Sequence, residues 1–204
     1  MLSSTPPVFK RSTSPSRLQH LGRLELGDRP LVTPAEFRGT DLRGAELSQA
    51  NLCGADWVEA NLSGANLSGA DLSGADLSGA DLRGADLSQA NLRGADLTRA
   101  WLGGASLKNA YLNGATLCEA QLEQANLRGC CLIGALLYRA RFVGAQLDQA
   151  CVSHCHGVEA DFRQASLEGI DLRWTNLDRS RFQPTQAAAL ALAGASVDHV
   201  IWLD

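Results

Sequence analysis

The chain has 204 residues, of which 45% are hydrophobic, 20% charged and only 5% aromatic, enough apolar material for one domain whose core is assembled from small, similar pieces. Eighteen basic residues stand against 22 acidic ones, a net charge of −4, which excludes wholesale binding to a nucleic-acid backbone because that requires a basic balance. No apolar run approaches the roughly 18–20 residues that span a bilayer, so neither a membrane nor nucleic acid is expected as a direct partner.

Residues 1–20 carry Ser, Thr, Pro and basic groups with no periodicity and no apolar h-region. They read as a disordered basic tail without a secretory signal. Residues 21–34, with Leu24, Leu26, Leu31 and Val32, read as an N-terminal cap for the array that follows, since an uncovered end of a repeat stack is a liability.

From Phe37 to Phe182 every fifth residue is apolar except Gly157, thirty positions without one insertion, and twenty-three of them are Leu. Two residues before each lies a second column, Ala in twenty-four of thirty cases. A period of five fits neither the 3.6 of a helix nor the 2 of a strand. The backbone path itself must therefore return the same face inward every five residues.

Segments such as Ala65-Asn66-Leu67-Ser68-Gly69 and Ala75-Asp76-Leu77-Ser78-Gly79 resemble the A(D/N)LXX unit of pentapeptide-repeat proteins, and the resemblance covers residues 35–182. It implies an all-β fold, a right-handed quadrilateral β-helix with four repeats per coil and each Leu pointing to the axis. At strand spacing, about 4.8 Å per coil, thirty repeats make about 7.5 coils and a rod about 36 Å long.

Columns then repeat every twenty residues. Phe142, Phe162 and Phe182 share one and predict an aromatic ladder. Trp57, Leu137, Gly157 and Leu177 share another, where Gly157 predicts a void that Ile170 relieves by repacking. Glycine follows two residues after half of the central residues, at corners that exploit its freedom at positive φ. Gln49, Glu59, Arg99 and Arg139 take that place elsewhere and predict a different turn type that tolerates a side chain.

Residues 183–204 predict a C-terminal capping helix and tail: Pro184 opens a short Ala/Leu helix over Thr185 to Ala193, stopped by Gly194. Val197, Val200, Ile201 and Trp202 are too apolar to dangle in water. Either they fold onto the cap, or residues 195–204 form a homodimer contact.

Two surfaces are candidates for function. Residues 36–98 hold ten acids and four bases, and Glu36, Asp56, Asp76 and Asp96 fall in one column. The resemblance implies that such a ladder can act as a DNA mimic on type II topoisomerases such as gyrase, as in quinolone-resistance members of the family. The ordinary alternative is that Asp or Asn belongs to the generic unit, bonding the turn backbone. The second surface is the run Cys131, Ile133, Leu136, Tyr138 and Val143, with Val158 one coil beyond Tyr138. Apolar outward residues rimmed by Arg139 and Arg141 predict a contact with an unidentified protein partner, with unselected drift as the ordinary alternative. Trp101 and Tyr111 make a smaller site of the same kind.

Cys131, Cys151 and His154 are the most metal-like residues, Cys131 lying directly beneath Cys151. Neighbouring residues on a β-helix wall cannot all aim at one point, so no metal and no cofactor is expected, while an oxidation-dependent Cys131–Cys151 disulfide is within reach. Six unevenly spaced cysteines do not make a disulfide framework and favour a reducing cytoplasm. No nucleophile or phosphate-binding motif is present, and a filled rod offers no deep pocket, so a non-enzyme is expected.

Overall fold

The computed structural model describes residues 37–196 and 198–203; the expected tail 1–20, the expected cap 21–34, Glu36 and Val197 lie outside them. Among the described residues no helix is long and apolar enough to cross a membrane. The chain is a β-helix solenoid. Parallel bridges join each residue to the one twenty positions on, every five residues from Asp41↔Asn61 to Asp161↔Arg181 without a break.

Where Asp or Asn heads a five-residue unit inside the stack, all five of its backbone N–H groups are satisfied. Around Asn61, the Asn61 N–H donates to Thr40 O of the coil before at 2.8 Å, while Leu62 and Gly64 donate to Asp81 O (2.7 Å) and Arg83 O (2.9 Å) of the coil after. Ala65 N–H closes the turn on Leu62 O at 3.0 Å. That leaves Ser63 N–H, at the outermost position, which donates to Asn61 Oδ1 at 3.1 Å. The Asp/Asn column is thus a backbone device in the first instance.

Each turn has its positive φ at the third residue only, the type II pattern. Every fifth residue from Gly39 to Arg179 lies at φ between 55° and 71°, whether glycine or not. The expectation of a separate turn type at Gln49, Glu59, Arg99 and Arg139 is therefore wrong: these residues are held left-handed at φ 55–58°, because backbone bonds to the neighbouring coil fix each corner and outweigh a penalty of about 1–2 kcal/mol.

Leu and Ala columns fill the axis and are almost wholly buried. Phe142 stacks on Phe162 at 4.9 Å and 3°, and Phe162 on Phe182 at 5.1 Å and 6°, the expected ladder. A second stack, Phe37 on Trp57 at 4.2 Å, lies at the other end. Gly157 leaves no void. A Cβ there would meet Leu177 Cδ2 at 3.2 Å and Asn176 O at 3.3 Å, so the Leu177 side chain of the next coil takes up the space. Ile170 plays no part in this; it lines a groove with Leu167, Ala188, Ala189 and Ala193.

At the C-terminal end, strand β1 (Arg181–Phe182) leads through a 3-10 turn (Pro184–Gln186) into helix α1 (Ala187–Leu192), and Gly194 at φ 72° turns the chain back. Strand β2 (Ile201–Trp202) then pairs parallel with β1 in the register Arg181↔Ile201 and Phe182↔Trp202. The twenty-residue step survives even though a helix replaces part of the coil. Trp202 extends the Phe column, 6.3 Å from Phe182 and tilted by 50°, so this segment folds onto the array. Ile201 and Trp202 each stay 39% exposed at its outer edge.

Candidate functional site

One wall of the solenoid carries both candidate surfaces. The bridges Asp56↔Asp76, Asp76↔Asp96, Asp96↔Thr116, Thr116↔Leu136, Leu136↔His156 and His156↔Asn176 make a single outward column, acidic in its first half and apolar or neutral in its second.

In the acidic half, Oδ1 of Asp56, Asp76 and Asp96 accepts from the N–H of Val58 (3.1 Å), Ser78 (3.0 Å) and Thr98 (2.8 Å). Asp56 Oδ2 also pairs with Arg38 at 3.2 Å. One oxygen of each carboxylate thus completes the turn, as Asn61 does. Glu36, the fourth member of this column, lies outside the described residues.

In the second half, Leu136 sits mid-wall, Ile133 at the corner before it and Tyr138 at the corner after it, all three exposed. Val158 lies one coil beyond Tyr138, and the Arg139 guanidinium sits 4.8 Å from the Tyr138 ring centroid. Val143 does not join them. It is a corner further round, past the wall carrying Arg141, whose bridges run to Gln121 and Asp161. Trp101 and Tyr111 likewise fail to make one site. Ten residues is half a coil, so they stand on different walls, bridged to Asp81 and Asn91 and covered by Arg83 (5.5 Å) and Arg93 (4.4 Å).

Two features of this region escape a reading along the chain. Beside Tyr138 the corner column alternates in sign, Arg99, Glu119, Arg139, Glu159 and Arg179, with Arg99–Glu119 and Arg139–Glu159 pairs both at 2.7 Å. The hydrogen bond from Arg99, and its charge, hold the Glu119 carboxyl below the usual carboxylate range. On the opposite corner Trp174 stands 80% exposed at φ 62°, its ring 6.5 Å from that of His154 one coil earlier. An aromatic in a column of mostly Gly and polar residues was the signal for the second; sorting charge by steps of twenty reveals the first.

The metal-like residues are spread over different environments. Cys131 and Cys151 stack as a bridge pair; Cys131 Sγ accepts from Asn113 Nδ2 at 3.0 Å, and Cys151 Sγ lies 3.8 Å from Asp171 Oδ2. His154 stands at the corner against Trp174. Cys155 points inward, its thiol donating to Leu132 O at 2.9 Å, and burial pushes its pKa up to about 12. Among the described residues no three His, Cys, Asp or Glu side chains converge on a point that a metal could occupy.

A family model for pentapeptide repeats matches in eight copies, over residues 35–56, 60–99, 90–132, 120–156 and 158–185. The chain belongs to the pentapeptide-repeat family. Among solved structures, QnrB1, a plasmid-mediated fluoroquinolone resistance protein, is 19% identical with a TM-score of 0.53 over 85% of this chain and 88% of that one, a likeness of fold alone. HetL, involved in heterocyst differentiation regulation in the cyanobacterium Nostoc sp. strain PCC 7120, is 28% identical with a TM-score of 0.35 over 84% of each chain. A pentapeptide-repeat protein of the Arabidopsis thaliana thylakoid lumen is 28% identical with a TM-score of 0.32, over 62% of this chain and 77% of that one. No curated protein matches the chain.

Proposed function

We propose that this pentapeptide-repeat protein is a non-enzymatic, cytoplasmic interaction module whose partner protein docks on the wall centred on Leu136. The observation that carries the reading is the meeting of Ile133, Leu136, Tyr138 and Val158 on one wall and its corners, beside the Arg99–Glu119 and Arg139–Glu159 pairs. An exposed apolar centre with a charged rim is what a protein contact requires: the centre supplies desolvation energy and the rim excludes water. We infer the same right-handed, four-sided coil as in the family, supported by four turns in each twenty-residue step. The outer edge of β2, with Ile201 and Trp202, is where a homodimer contact through residues 195–204 would form, with molar mass from light scattering as its measure.

The test is affinity capture from lysate with wild type and Tyr138→Asp, each also melted. A charge introduced among the apolar residues of a contact costs about 2 kcal/mol or more of binding, whereas an outward corner residue leaves stability within about 0.5 kcal/mol. The expected result is a protein held by wild type and lost in the variant at unchanged melting temperature. Equal capture by both would overturn the reading.

A further inference from the structure

All six cysteines are free, and Cys131 and Cys151 are the two that a backbone bridge places in register on adjacent coils. Cys53 and Cys118 stand at corners in different columns, and Cys130 and Cys155 are buried inside the coil. Cys131 and Cys151 form a registered parallel pair on one outward column. Leu132 N–H donates to Cys151 O at 2.7 Å and Cys151 N–H to Cys130 O at 2.9 Å, fixing the two strands one spacing apart, about 4.8 Å. That lies within the Cα range of a disulfide. Registered neighbours project their side chains in parallel, and in this same column Asn91 Nδ2 reaches Asp71 Oδ1 at 2.9 Å, so side chains one coil apart do touch. Both residues are partly exposed, on an outward wall that a small oxidant reaches.

We propose that Cys131 and Cys151 form an oxidative modification site, closed by a peroxide into a disulfide between adjacent coils. One thiol attacks the peroxide O–O bond, giving a sulfenic acid and one water. The second thiol displaces the hydroxyl from that sulfur, forming the S–S bond and releasing a second water; peroxide is reduced and two thiols are oxidised. Closure swings each sulfur by a χ1 rotation away from Asn113 and Asp171, its present neighbours. Strand spacing exceeds the Cβ separation of about 3.8 Å that a relaxed disulfide prefers, so the bond is strained and cellular thiols reverse it. When closed it ties the coil of Leu136 and Tyr138 to the coil of Val158.

The experiment treats full-length protein carrying Cys53→Ser, Cys118→Ser, Cys130→Ala and Cys155→Ala with hydrogen peroxide, then alkylates it and maps it by mass spectrometry. The inward substitutions restore the residue that most repeats carry. The expected result is a monomer lighter by about 2 Da, a peptide linked through Cys131 and Cys151, and recovery of both thiols with dithiothreitol. Wild type mapped in parallel must show the same linkage, which keeps the test decisive if the variant fails to fold. Two thiols that stay open to alkylation, oxidation that stops at sulfinic acid on separate chains, or linkage only between molecules would each overturn the proposal.

Discussion

Leu177 determines what Gly157 contributes. A missing side chain in a leucine column suggests a cavity, and filling a cavity raises stability. Here the Leu177 side chain of the coil above reaches the position, with Leu177 Cδ2 and Asn176 O at 3.2 and 3.3 Å from where a Cβ would stand, while the backbone keeps its ordinary bond, Gly157 N–H to Asn176 O at 2.7 Å. Gly157→Leu therefore overpacks the axis and is expected to lower stability by about 1–3 kcal/mol, read as a fall in melting temperature, with Gly157→Ala falling less. A rise on substitution by Leu would restore the cavity. The sequence locates Gly157 in its column without ambiguity, yet the reach of the Leu177 side chain toward it is invisible until the coils are stacked. The corner residues differ in the opposite direction: Glu59 and Arg139 look like departures from the glycine rule, but bonds to two adjacent coils impose the same left-handed turn on both.

The terminal helix works as a substitute for coil. Where the next repeat would have presented backbone donors, Gln186 inserts its side chain: Nε2 donates to Phe162 O at 2.8 Å and Ala165 O at 2.9 Å, and Oε1 accepts from Gln183 N–H at 2.8 Å. Gln186 is buried, and while Phe162 O keeps the Ala165 N–H at 3.1 Å, loss of the Gln186 amide leaves Ala165 O without its donor in a dry place. Gln186→Ala is expected to destabilise the protein by about 2–3 kcal/mol, measured by urea denaturation, whereas the exposed neighbour Thr185→Ala should be within about 0.5 kcal/mol of wild type. Equal effects would mean that Gln186 does not close the stack. The apolar composition of 187–193 and the stop at Gly194 make a helix readable from sequence. The return of the chain to the twenty-residue register at Ile201 is not, because nothing in residues 183–200 repeats. For the same geometric reason Ile133, Leu136 and Tyr138 lie on one wall and its corners while Val143 stands a corner further round and Trp101 and Tyr111 stand half a coil apart: residues a few repeats apart stand on different walls, and only steps of twenty preserve a neighbour.

Along the whole solenoid, the acidic candidates and Leu136 share one column, from Asp56 to Asn176, with Ile133 and Tyr138 at the corners flanking it, so a long partner could engage both. The acids, however, already serve the fold, each giving one oxygen to a turn N–H. Replacing Asp56, Asp76 and Asp96 by Asn removes three charges and keeps an acceptor oxygen for every turn, as Asn61 and Asn66 demonstrate in wild type. The triple variant should therefore fold with its stability changed by less than about 1 kcal/mol, although loss of the Arg38 pair to Asp56 removes a surface ion pair of small value. If the docking wall is the apolar half, this variant captures the same partner as wild type with an affinity changed less than about threefold, and Tyr138→Asp remains the substitution that abolishes it. If the column instead imitates the charge of DNA, wild type inhibits supercoiling by a type II topoisomerase and the triple variant does not, because a mimic deprived of its charge has nothing left to present. The expected outcome is retained capture with no charge-dependent inhibition, and a supercoiling assay run beside the capture experiment on both proteins distinguishes the two halves of the wall.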